Sequence, residues 1–336
     1  VPVEPAVEPR ADELRSADDG ERLRSLEFRT LRIYGEDDRL DVGPGATAEL
    51  ALRAPEERSR SGTALAWAEQ VLSAGRAVAL MVTTTELTPQ PDGSFQLASL
   101  SHNARVLEEH GVPLCAAPRA RYQDQPTAGL CTAWLAAPTL VVTARHCIAG
   151  REATEIAFVF GWQQRAEGSF PGTPALLEGV QVYRGRAFHA RGAGGAAGDY
   201  AVIELDRPVP AASGIAPLGM RRSGRPRKGE PLYLLGSPRG LPLKFAGGAE
   251  VKLVHSELPL LRADVDAFQG NSGSPVLSSL DHRVVGILVR GKSDFFNVGD
   301  PPCAVEARTT FTRSGETVLG CPAFQQHIPR TAADSR

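Results

Sequence analysis

Gln269-Gly270-Asn271-Ser272-Gly273-Ser274-Pro275 places one serine in a loop with glycine on either side. A serine hydroxyl is a weak nucleophile until a base takes its proton and donors wait for the oxyanion. Glycines at 270 and 273 let the chain turn sharply and bring bare N–H groups up to a reacting carbonyl. Taken alone, such a loop is more often an ordinary turn. A base, and an acid that orients it, must therefore be sought upstream in the chain.

The base candidate is His146, at the end of Leu140-Val141-Val142-Thr143-Ala144-Arg145-His146-Cys147. Leu140 to Val142 is apolar and β-branched, the pattern of a buried strand, and Thr143 to His146 is its exit. An imidazole at the rim of a rigid sheet is well placed for proton transfer. The acid candidate is Asp199, just before Tyr200-Ala201-Val202-Ile203-Glu204-Leu205. A carboxylate entering a buried strand needs a hydrogen-bond partner, and an imidazole N–H is one. The order His, Asp, Ser is that of one of the three known chain orders for such a triad.

Thr143-Ala144-Arg145-His146-Cys147, Gly198-Asp199-Tyr200-Ala201-Val202-Ile203-Glu204-Leu205-Asp206 and Gly270-Asn271-Ser272-Gly273-Ser274-Pro275 resemble the three motif blocks of chymotrypsin-fold serine peptidases. The Asn-Ser-Gly-Ser-Pro form is closest to the bacterial glutamyl-endopeptidase-like branch. Ile33-Tyr34-Gly35-Glu36-Asp37-Asp38-Arg39 resembles the start of the mature enzyme there. The resemblance spans roughly residues 31–320 and is faint between Asp41 and Leu114, a stretch longer than the family needs. It implies an all-β fold of two packed antiparallel six-stranded β-barrels, with a few short helices and an N-terminal extension. It also implies a Cys131–Cys147 disulfide beside the histidine. Closing that loop is worth about 3 kcal/mol in the chain-entropy account.

On this resemblance Ser272 attacks a carbonyl, His146 takes and returns the proton, and Asp199 holds the imidazole. The N–H groups of Gly270 and Ser272 form the oxyanion hole. Activity should fall below about pH 6–7, where an ordinary imidazole is protonated. Asp266, Gln269, Leu288, Val289 and Arg290 are the candidate substrate-binding residues. Asp266 sits where trypsins carry the aspartate that binds Arg or Lys. Leu288 stands where glutamyl endopeptidases have a histidine for the substrate carboxylate, and Arg290 is the nearby cation. Asn271 replaces the aspartate that pairs with a freshly cut N-terminal amine. Any activation by cleavage near Ile33 must then work through another contact, with removal of a pro-segment acting by uncovering the cleft.

The rest of the chain is consistent with this reading. In 336 residues, 34 Gly and 26 Pro favour many short strands joined by turns over a helical bundle. A net charge of −2 gives no phosphate-tracking surface, so neither nucleic acid nor membrane is expected as a partner. The partners expected are protein or peptide substrates, and the protein is expected to be a monomer. The basic run Arg221–Lys228, with Gly224 and Pro226, reads as an exposed loop. The seven histidines show no ligand-like spacing, so no metal and no cofactor is expected.

Cys115, Cys303 and Cys321 remain after the first pair, which leaves one thiol over. Cys303 and Cys321 are nearer in sequence, but the sequence does not choose. A disulfide points to an oxidising compartment, periplasmic or secreted. The domains expected are a pro-segment or arm over residues 1–29, a first barrel over 30–212, a second barrel over 213–325 and a tail over 326–336. Within them, periodicity predicts a helix over residues 63–74. Strands are predicted at 77–84, 156–160, 180–183, 200–205, 232–235, 244–254, 274–277 and 284–289. The function expected is that of a secreted serine endopeptidase made as a zymogen. The alternatives are a peptide-binding module without catalysis on the same fold, and an esterase.

Overall fold

Short apolar runs bounded by turn residues become buried strands. Six of them form the first barrel: β1 (Val78–Thr83), β2 (Cys131–Ala137), β3 (Leu140–Thr143), β4 (Ile156–Phe160), β5 (Val182–Arg191) and β6 (Ala201–Leu205). Six more form the second: β7 (Pro231–Gly236), β8 (Lys244–Val254), β9 (Leu260–Ala263), β10 (Pro275–Ser278), β11 (Val284–Arg290) and β12 (Glu316–Gly320). The computed structural model describes residues 33–34, 36–55, 63–117, 120–166, 168–290, 294–309 and 315–335. The expected N-terminal segment 1–29 lies outside them.

The first barrel closes in the order β1-β2-β3-β6-β5-β4 and back to β1, every pairing antiparallel. The second closes as β7-β8-β9-β12-β11-β10 and back to β7, so the two barrels share one strand order. This is the two-barrel chymotrypsin-like fold. Closure leaves no unpaired edge in either sheet. Arg39–Asp41, early in the chain, pairs not with the first barrel but with β8, Leu40 facing Phe245.

Among the described residues three α-helices sit outside the barrels: α1 (Thr47–Ala51), α2 (Ala64–Arg76) and α3 (His102–His110). The predicted helix over 63–74 is α2, which runs on to Arg76. Its Trp67, Ala68 and Val71 form the buried stripe that the periodicity implies. Trp67 packs edge-on against Tyr233 and Phe245 of the second barrel, and its indole N–H donates to the Ser279 carbonyl at 2.9 Å. Because α2 leads directly into β1, it ties the barrels together.

The long stretch ahead of β2 is an insertion between β1 and β2. It contains a hairpin, Leu87–Pro89 with Phe95–Leu97, turned at Gly93 with φ +83°, and then α3. Ser101 caps α3 by accepting from the Ala104 N–H, and Gly111 ends it in the left-handed region at φ +73°. Cys115, just beyond, is joined to Cys303, and Cys131 to Cys147. The sequence-near pair Cys303–Cys321 therefore does not form. Cys321 is fully buried, and burial pushes its thiol up to about 12, so it is a core residue with little thiolate.

Two further expectations change. The strand predicted over 180–183 is β5, which begins at Val182 and continues to Arg191 across two bulges against β6. The basic run is a loop, but two of its arginines are pinned. Arg221 pairs with Glu230 at 2.6 Å, and Arg222 pairs with Asp334 of the C-terminal segment at 2.7 Å. Among the described residues, no helix is long and apolar enough to cross a membrane.

Candidate active site

The register of one ladder brings the first two candidates together. β3 and β6 run antiparallel with Thr143 opposite Ala201, so the residues after Thr143 and those before Ala201 leave the barrel at the same edge. His146 lies in the 3₁₀ turn Arg145–Ile148 that follows β3, and Asp199 lies two residues before β6. Ser272 comes from the other barrel, in the turn that enters β10.

The three side chains form one hydrogen-bonded line. Asp199 Oδ1 accepts the backbone N–H of His146 at 2.9 Å, and Oδ2 lies 2.8 Å from His146 Nδ1. His146 Nε2 lies 2.8 Å from Ser272 Oγ. A carboxylate only accepts, so Nδ1 carries the proton and Nε2 offers its lone pair to the serine O–H. Asp199 is nearly buried, its side chain 7% exposed, whereas the His146 ring is 46% exposed. Solvent and substrate thus reach the imidazole but not the carboxylate behind it.

The serine turn is held by its carbonyls. Gln269 C=O accepts from Arg239 N–H at 2.5 Å, Gly270 C=O from the Thr132 hydroxyl at 2.8 Å, and Ser272 C=O from Thr132 N–H at 3.0 Å. Asn271 N–H donates to Phe268 C=O, and Gly273 N–H to Leu288 C=O. Among the described residues the N–H groups of Gly270 and Ser272 have no protein acceptor, so two donors stay available beside the hydroxyl. Glycine is required at both flanks. A Cβ on Gly270 (φ +94°) would lie 2.6 Å from Ser237 O, and one on Gly273 (φ +85°) 2.3 Å from Thr132 O.

The expected substrate residues are less uniform. Gln269 is exposed and Arg290 half-buried, whereas Leu288 and Val289 are buried. The ladder to β12 shifts register between Leu288 and Arg290, which sets Val289 at an irregularity. Asp266, expected to face a substrate cation, is instead turned to the chain's own N–H groups. It is 3% exposed, and its oxygens accept the backbone N–H groups of Tyr34 (2.7 Å) and Asp38 (3.0 Å). A buried carboxylate must find donors, and the N-terminal segment supplies them. Burial nonetheless pushes its carboxyl up to about 7, against those two donors and the charge of Arg39.

Around Asp266 lies a set of buried ions. Arg39 pairs with Asp37 at 2.7 Å and Glu306 at 2.6 Å, and its guanidinium lies 4.2 Å from the centre of the Phe268 ring. Burial raises Asp37, but the charge and hydrogen bonds of Arg39 outweigh it and hold the carboxyl at about 2. Thr132, Arg239 and Asp294 shape the serine turn yet carry no local sequence signal. Only the Pro238-Arg239-Gly240 turn hints at one of them.

Cys131, His146 and Cys147 are the one His, Cys and acid grouping among the described residues close enough to hold a metal. Its two sulfurs are joined to each other, so neither is a thiolate donor.

No curated protein matches the chain. Two solved structures of Rv3671c from M. tuberculosis H37Rv are similar in outline, both described as the inactive form. One, a serine-to-alanine mutant, is 12% identical with a TM-score of 0.39, covering 77% of this chain and 87% of its own. The other, described as a protease, is 12% identical with a TM-score of 0.41, covering 82% and 95%. Residues 131–287, from β2 into β11 and including His146, Asp199 and Ser272, match the family model of the trypsin-like peptidase domain.

Proposed function

We propose that this chain is an extracytoplasmic serine endopeptidase acting through His146, Asp199 and Ser272. The observation that carries the reading is the unbroken line Asp199–His146–Ser272, with both ring contacts at 2.8 Å. The Ser272 oxygen adds to the scissile carbonyl as its proton moves to His146 Nε2. The carbonyl π electrons go to oxygen, and the Gly270 and Ser272 N–H groups receive that charge. Collapse breaks the C–N bond, and His146 returns the proton to the departing amine. Water, deprotonated by the same nitrogen, then releases the acid and restores the serine. Asp199 stays ionised and stabilises the imidazolium throughout.

Two disulfides support an oxidising compartment. For the substrate, the occupied oxygens of Asp266 argue against a preference for Arg or Lys. Leu288, fully buried and apolar, argues against one for Glu. An uncharged residue before the cut is the preference we propose.

Digestion of a peptide library tests both levels. Cutting that disappears in Ser272→Ala, after uncharged residues, is the expected result. Peptide binding without cutting would instead mean a binding module, and turnover of esters alone an esterase.

A further inference from the structure

The residue before the proposed oxyanion donor is gripped at its N–H, its C=O and its side-chain oxygen. Gln269 C=O accepts from Arg239 N–H at 2.5 Å, and its side-chain Oε1 accepts from Arg239 Nη1 at 2.6 Å. Gln269 N–H points at both oxygens of Asp294, at 3.2 and 3.1 Å. Asp294 and Arg239 also face each other, Nη1 to Oδ2 at 3.5 Å, and Glu109 of α3 closes on Arg239 Nη2. Both central groups are shut away, Arg239 4% and Asp294 6% exposed. Arg239 adopts φ +56°, a left-handed conformation that is uncommon for a side-chain-bearing residue.

These contacts have a geometric consequence. The C=O of Gln269 and the N–H of Gly270 belong to one planar trans peptide, so they point in opposite directions. The Arg239 N–H takes the carbonyl, while its guanidinium holds the Gln269 side chain and Asp294, which in turn takes the Gln269 N–H. With the residue fixed on both sides, the Gly270 N–H is held on the far side, where it has no protein acceptor among the described residues.

Resting on the function proposed above, we propose that Arg239 and Asp294 are positioning residues. They clamp Gln269 and so hold the Gly270 N–H toward the developing oxyanion. Glu109 braces the clamp from α3, which gives the insertion between β1 and β2 a part in the site. Its connection to the loop containing Asp294 is reinforced by Cys115–Cys303.

Arg239→Gly is the test, because glycine accepts φ +56° and keeps the backbone N–H, so only the guanidinium is lost. Deleting an oxyanion donor outright costs roughly 10²–10³-fold in kcat, and a misdirected donor should cost about 10–100-fold. The expected result is a loss of that size in kcat with KM within about twofold, and an equal loss in affinity for a peptide boronate. Product peptide should bind as before, Arg239→Lys should recover part of the loss, and Asp294→Asn should fall in the same direction. A crystal structure of Arg239→Gly should show the Gln269–Gly270 peptide turned or spread over orientations. Unchanged kcat and boronate affinity, or an unmoved peptide, would overturn the clamp. If the unaltered protein shows no Ser272-dependent hydrolysis, the endopeptidase reading fails, and the orientation of that peptide still decides this one.

Discussion

Behind His146 and Asp199 stands an apolar wall: Leu140, Val141 and Val142 on β3 against Ala201, Val202 and Ile203 on β6, all buried. Behind Ser272 stands a set of buried ions: Asp37, Arg39, Arg239, Lys244, Asp266, Asp294 and Glu306. The apolar wall holds its side chains by packing, which tolerates substitutions of similar volume. The ionic side holds by pairing, which fails when one partner is removed and a charge is left buried. The His146–Asp199 half is thus anchored in a hydrophobic barrel. The Ser272 half is anchored by long-range salt bridges.

The largest effect should come from the half held by the apolar wall. Asp199→Asn keeps the shape but reverses the donor pattern at Nδ1, and kcat should fall about 10⁴-fold in a steady-state assay. Next is the ionic side. Arg39→Met removes the partner of Glu306 and the nearer of the two arginines on Asp37, leaving Arg121 at 3.2 Å, and should lower stability by about 3–5 kcal/mol in a denaturant titration. Opening the Cys131–Cys147 bridge by a double change to alanine should cost about 3 kcal/mol by the same measurement. A loss from Arg39→Met no greater than from an exposed pair, about 0–1 kcal/mol, would erase the contrast.

The smallest effect depends on pH. His102, at the start of α3, is buried with neither ring nitrogen hydrogen-bonded, and burial holds its imidazole down at about 3. The unfolded chain takes up that proton near the ordinary 6.5, while the fold resists until about 3. Burying the neutral ring therefore costs nothing extra above about pH 6.5, and stability falls as pH drops from there toward about 3. His102→Leu should escape this loss. Its stability relative to the parent should improve by about 1.4 kcal/mol for each pH unit between about 6 and 4. A pH-independent difference between the two would show that the imidazole takes up its proton as readily in the fold as in the unfolded chain, which would contradict the effect of burial.

The same contrast governs what can be read from the residues alone. β3, β6 and β11 announce themselves through β-branched runs, and His146, Asp199 and Ser272 sit in compact motifs, so these strands and the residues of the hydrogen-bonded line could be picked out. β2, with only Thr132 β-branched, could not. Nor could the ionic side. Tyr34 meets Asp266 across 232 residues and Arg39 meets Glu306 across 267, and no local pattern encodes either pair. That is why Asp266 read as a substrate ligand when its oxygens face the N-terminal segment. It is also why Cys115, whose partner is 188 residues away, could not be paired. The insertion between β1 and β2 read only as excess length, because Glu109 makes sense only beside Arg239.

Reaction with a fluorophosphonate is the most direct test of the central claim, since only a serine activated by a neighbouring base is phosphonylated at a useful rate. Mass spectrometry of the intact protein and its peptides should find one adduct, on Ser272, absent from Ser272→Ala and strongly slowed in His146→Ala. An adduct at another serine, or labelling of Ser272 at the same rate without His146, would contradict it.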